Sequence, residues 1–169
     1  MVDPIVSEPL PSKFKYDVKK ALLIGCSKYD KIRPDGGFNL PTVTEDIRIM
    51  NTCLTLMGYD VTILNDPTKR QIDGYLSKLE VDFDPGQTDR KLLFKCYASS
   101  HGLIRLGTTH MYLNERDNLF YPIEYNLRKL KKNRNIYCIG ILDMCRSADF
   151  VDPLHPLQSR DLSDQQTEY

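Results

Sequence analysis

Two residues of this chain are of the types that together perform nucleophilic chemistry. Cys145 stands in the segment LDMCRS and His101 in YASSHG, 145 − 101 = 44 residues earlier. A free thiol has a pKa of about 8.5, so only a few per cent is thiolate near neutral pH. An imidazole beside it takes the proton, or pairs with the thiolate as imidazolium, and later protonates a leaving amine. Backbone N–H groups near the nucleophile, together with that of Gly102, are candidates to hold a developing oxyanion. Asp143, two residues before Cys145, and Asp46 supply negative charge for a basic substrate side chain, most naturally arginine, whose fork pairs with carboxylates bidentately. Singly, each has a plainer explanation: a solvated histidine, a small buried cysteine, a capping or first-turn aspartate. Their weight depends on being gathered in one place.

The remaining chemistry-bearing residues point elsewhere. Of the five cysteines, Cys96 and Cys138 fall within apolar runs, Cys53 within a helical pattern and Cys26 just past the first run. An odd count without a CxxC pair encodes neither a disulfide framework nor a zinc ribbon. The three histidines, His101, His110 and His155, have no i, i+4 spacing, so no metal site is expected. Thiol chemistry of this kind needs no cofactor.

The elements that must position these residues are legible in the hydrophobic pattern. Short apolar runs at 21–25, 59–64, 92–97 and 136–142 read as strands buried on both faces, the habit of parallel sheets. Between the first two, Val43, Ile47, Met50, Leu54 and Met57 form one helical stripe, with Thr42 and Glu45 as a capping box and Gly58 as the C-cap. A second helix is expected from Asp66-Pro67, carrying Ile72, Tyr75, Leu76 and Leu79. A third, near 123–132, puts Ile123, Leu127 and Leu130 on one face, and residues 111–113 and 119–121 flank a hairpin excursion. Strands alternating with crossover helices give an α/β fold: a three-layer, mostly parallel sheet in flavodoxin-like order with helices on its faces. Ligands of such sheets bind beyond the carboxyl ends of the strands. His101 follows the third strand, Cys145 the fourth, and Asp46 opens the helix after the first, so all share that rim. The domain spans 19–150, between an arm at 1–18 and a tail at 151–169.

Composition narrows the function. With 169 residues, 41% of them hydrophobic, the chain supports one core, and disorder as a whole is excluded. Its 23 basic and 23 acidic residues balance, so no global field gathers phosphates, and nucleic acid is not an expected partner. The basic run RKLKKNR at 128–134 reads as a solvated helix end. No apolar run approaches the roughly 18 residues of a membrane span, and the N-terminal segment lacks signal-peptide order, so the cytoplasm is the expected compartment. P-loop, GxGxxG and EF-hand spacings are absent from the sequence.

On ALLIG in the first strand, TLMGYDV before the second, SHG after the third and ILDMCR on the fourth, the sequence resembles the large catalytic subunit of the caspase clan, nearest to paracaspases and metacaspases. The 44-residue histidine-to-cysteine separation is close to the roughly 50 of caspases. The resemblance covers about residues 19–150 and implies a cysteine endopeptidase with a Cys145–His101 dyad. DMCR is the paracaspase form of the cysteine motif, which implies that Asp143 confers preference for arginine, with Asp46 as a second pocket acid. The sequence departs from the family in reading YASSHG where YAGHG or YSGHG is usual, and in lacking QACRG. Only 169 − 145 = 24 residues follow Cys145, without a strand pattern, whereas the family adds a small subunit there. The strand at 136–142 is therefore expected to present an open apolar edge, covered by another polypeptide that is either a small subunit or an unrelated scaffold. Two functions follow as expectations: a protease cutting after Arg or Lys, or a non-catalytic caspase-like subunit of a larger intracellular assembly.

Overall fold

The computed structural model describes residues 15–32 and 34–144. Cys145 and the expected tail lie outside the described residues, as does most of the expected arm.

Four strands form a parallel sheet: β1 (Val18–Gly25), β2 (Asp60–Asn65), β3 (Leu92–Ser99) and β7 (Ile136–Asp143), in the order β2-β1-β3-β7. Helix α1 (Val43–Leu56) crosses from β1 to β2, α2 (Lys69–Asp82) from β2 to β3, and α3 (Ile123–Leu130) precedes β7. This is the expected α/β architecture. Alternation along β1 divides the core. Leu22 and Ile24 face Ile72, Leu76, Leu79, Leu127 and Leu130 of α2 and α3. Ala21 and Leu23 face Val43, Ile47 and Leu54 of α1, joined by Tyr97 from β3. The central strands β1 and β3 are buried on both faces, as their unalternated runs require. Strands β2 and β7 are not: they flank the sheet among the described residues, and one face of each remains partly open. No helix among the described residues is long and apolar enough to cross a membrane.

Three local expectations need correction. Thr42 precedes α1, but its backbone is already helical and its side chain makes no cap; Glu45, the other half of the expected box, is held by Arg48 at 2.7 and 2.6 Å. A reciprocal capping box forms instead at α2, between Thr68 and Gln71. Asp66, expected to cap that helix, takes a left-handed backbone (φ 45°) and turns its carboxylate to the loop after β1. Within the α1 stripe, Met57 lies past the helix end and is exposed. Gly58 does close the helix: at φ 78° it lets its own N–H reach Thr55 O and that of Tyr59 reach Leu54 O, the paired bonds of a left-handed C-terminal turn.

Between β3 and α3 lies a separate antiparallel sheet of β4 (Gly102–Arg105), β5 (Thr108–Tyr112) and β6 (Phe120–Tyr121). The β5–β6 pair is the expected hairpin. Strand β4 is additional, joined to β5 through Leu106 and Gly107, both at positive φ, the two-residue turn whose hand matches strand twist.

One glycine decides how α1 meets the sheet. A Cβ on Gly25, the last residue of β1, would sit 2.8 Å from Ile47 and 3.1 Å from Val43. Its absence lets the first turns of α1, and with them Asp46, ride close over the end of the central strands.

Candidate active site

Register fixes the rim. Gly25 pairs with both Asn65 and Ser99, and Ser99 pairs with Asp143, so the four parallel strands end in one row. His101 comes two residues beyond Ser99. Past β7 the described residues end at Met144, one residue short of Cys145. The Ser100 N–H to Asp143 O contact, at 3.4 Å, carries the β3–β7 ladder one step past the strands. The row thus joins the histidine loop and Asp143 on adjacent strand ends. The position of the Cys145 thiol lies outside the described residues.

The His101 ring is half-buried and held on several sides. It stacks on Phe38 with centroids 3.9 Å apart and planes 20° apart, and the rings of Tyr29 and Tyr112 stand at 5.1 and 6.3 Å. Nε2 lies 2.8 Å from the carbonyl oxygen of Phe38. A carbonyl only accepts, so Nε2 carries the proton, and in the neutral ring Nδ1 bears the lone pair. The main chain is anchored as well: the His101 N–H donates to the Tyr29 hydroxyl at 3.2 Å, and its carbonyl accepts from the Tyr112 N–H at 3.0 Å. Burial lowers the ring's pKa below the ordinary histidine value, and the Phe38 carbonyl opposes that shift in part. The net result is a neutral imidazole near pH 7, which is the state a general base requires.

A folded loop delivers Phe38. The Gly37 N–H bonds the Asp35 carboxylate at 3.0 Å, Gly36 takes φ 69°, and the Asn39 N–H closes on Gly36 O at 3.0 Å. The Asn39 side chain then accepts from the Tyr29 N–H at 2.7 Å and donates to Asp30 at 3.0 Å. The DGG segment is a structured turn that aims a carbonyl at the histidine.

Asp143 is exposed at the end of β7, and its Oδ2 accepts the Tyr97 hydroxyl at 2.9 Å. Burial, this hydrogen bond and the charges of Asp143 and Asp46 push the Tyr97 pKa up to about 12. The charges of Asp143 and, more weakly, Asp46 thus both bear on one hydroxyl. Gly102 is buried as the first residue of β4, paired with Met111 and directly following the histidine.

The other described thiols are unsuited to attack. Cys26, Cys96 and Cys138 are buried, which raises all three pKa values, that of Cys138 to about 11. Cys53 is exposed on α1, within the helix rather than at the rim. Among the described residues no group of three His, Cys, Asp or Glu is placed to hold a metal ion.

Sequence reasoning missed Phe38, Tyr29 and Tyr97. Phe38 contributes main chain, which carries no side-chain signal. Tyr97 lies in an apolar strand run and reads as core, which most of it is; only its hydroxyl reaches the rim.

No curated protein matches this chain. A family model described as caspase domain matches residues 18–168, nearly the whole of it. The chain belongs to the caspase domain family of cysteine-type peptidases.

Proposed function

We propose that the protein is a cysteine endopeptidase of the paracaspase or metacaspase kind, with Cys145 as nucleophile and His101 as acid and base. The orientation of His101 carries the reading: with Nε2–H committed to Phe38 O, the Nδ1 lone pair is the atom left to accept a proton. Nδ1 takes the Cys145 proton as sulfur attacks the scissile carbonyl, and the C–S bond forms while the carbonyl oxygen gains the electron pair. Backbone N–H groups, that of Gly102 among them, hold this oxyanion. The imidazolium then gives its proton to the leaving amine as the C–N bond breaks. Water, deprotonated by the same ring, releases the acyl group and restores the thiol. Asp143 and Asp46 receive the guanidinium or ammonium of a substrate cut after Arg or Lys.

Labelling with an arginyl chloromethyl ketone tests this. One equivalent is expected to attach to the intact protein, with complete loss on Cys145→Ala and strong reduction on His101→Ala. No labelling of the wild-type protein in its assembled state would overturn the reading.

The edge supports a companion proposal. Strand β7 lies at the side of the parallel sheet among the described residues, with Tyr137 52% and Ile141 42% exposed. A strand edge with apolar neighbours invites pairing, and we place another polypeptide along it, in a cytoplasmic protein. Native mass spectrometry of the protein isolated from its source should show a stable complex; a stable monomer alone would count against it.

A further inference from the structure

We propose that Tyr97 is a positioning residue that sets preference for arginine over lysine, by fixing Asp143 in the orientation a guanidinium needs. This rests on the reading of Asp143 and Asp46 as acids that receive a basic side chain. It extends that reading to a residue with no chemistry of its own in the reaction.

The placement is specific. Tyr97 pairs with Leu23 on one side and Ile141 on the other, two residues before the Ser99–Asp143 pair that ends both strands. The residue is only 6% exposed and belongs to the small core beneath α1, with Leu23, Val43 and Ile47. The hydroxyl projects from that core toward the rim and donates to Asp143 Oδ2 at 2.9 Å. The Asp143 carboxylate makes no other hydrogen bond or ion pair among the described residues. A lone exposed carboxylate samples several rotamers, whereas one tied to a rigid, buried ring presents Oδ1 and the open side of Oδ2 in one direction. Asp46, on the first turn of α1, supplies the opposing charge.

Chemistry makes the consequence selective. A guanidinium is planar, and its fork binds well only to acceptors held in matching orientation. An ammonium is a compact charge that adapts to whatever carboxylate rotamer it meets. Fixing Asp143 therefore helps arginine far more than lysine. The hydroxyl also stays a donor, because burial and then the negative charges of Asp143 and Asp46 oppose its ionisation.

The test is titration calorimetry on Cys145→Ala protein, with two product peptides identical except for a C-terminal Arg or Lys. Adding Tyr97→Phe, which keeps the ring and its packing, should weaken the Arg peptide roughly five- to tenfold, the scale of one hydrogen bond. The Lys peptide should change less than about twofold. Adding Asp143→Asn as well should leave Tyr97→Phe without further effect, since the tyrosine acts through that carboxylate. Equal weakening of both peptides, an unchanged Arg-to-Lys ratio, or additive losses in the combined variant would each overturn the proposal. So would absence of binding by either peptide. In that case, His101-dependent alkylation of Cys145 by iodoacetamide in the wild-type protein would show separately whether the dyad reading stands.

Discussion

Two aspartates mark two ends of the same sheet, and their surroundings differ in kind. At the β2 end, the Asp66 carboxylate accepts the Ser27 N–H at 2.7 Å, the Lys28 N–H at 2.9 Å and the Ser27 hydroxyl at 3.2 Å, while its own N–H closes on Gly25 O at 2.7 Å. At the β7 end, Asp143 accepts one tyrosine hydroxyl and is otherwise exposed. The first carboxylate has its lone pairs taken up in tying the β1 loop to β2. Among the described residues the second is held at a single point and keeps open acceptor capacity. A carboxylate at a strand end is thus architectural or receptive according to how many donors the fold itself directs at it.

The largest effect should come from breaking the saturated side. Asp66→Ala removes the acceptor for three donors and places alanine at positive φ, and is expected to lower unfolding free energy by about 2–4 kcal/mol in urea titrations. Asp143→Asn should cost less than about 1 kcal/mol in the same titration, because it removes no saturated network. Equal destabilisation by the two would erase the contrast.

A smaller effect sharpens the chemistry of the receptive half. The folded-state pKa of His101 lies below its unfolded value, so the unfolded chain binds the proton first as pH falls. Its contribution to stability is complete above the ordinary histidine value of about 6.5 and declines below it. Activity should follow the same direction, with kcat/KM rising with pH along an acidic limb whose midpoint lies below about 6.5. His101→Ala should remove the stability component of that dependence; persistence of the decline in the variant would assign it to another group.

Much of this arrangement is legible in the sequence because burial imposes it. The runs at 21–25 and 92–97 had to be strands, since mostly apolar, unalternated stretches of that length find cover in the middle of a layered sheet. The stripe Val43, Ile47, Leu54 had to lie on one helix face. What escapes is whatever depends on competition among polar groups. Thr42 and Glu45 have the spacing of a capping box, yet Arg48 takes the glutamate. Asp66 has the residue type of a helix cap, yet two backbone amides of a loop almost forty positions earlier in the chain claim it. Strand β4 is four residues long, too short for a periodic signal, and its place is set by pairing with β5. The rim that collects His101, Asp143 and Asp46 followed from strand order. The partner that orients the histidine did not, because any residue at position 38 offers the same carbonyl.

That last point bears on how the histidine site could be disturbed. Replacing Phe38 strips away a stacking ring but leaves the acceptor of the Nε2 proton intact, since every amino acid brings the same peptide oxygen. Lengthening or shortening the 35–39 turn, or forcing a side chain onto Gly36, would shift that oxygen bodily. The proton arrangement of the histidine is in this sense encoded by spacing rather than by letters, so insertions there should do harm that single replacements at residue 38 do not.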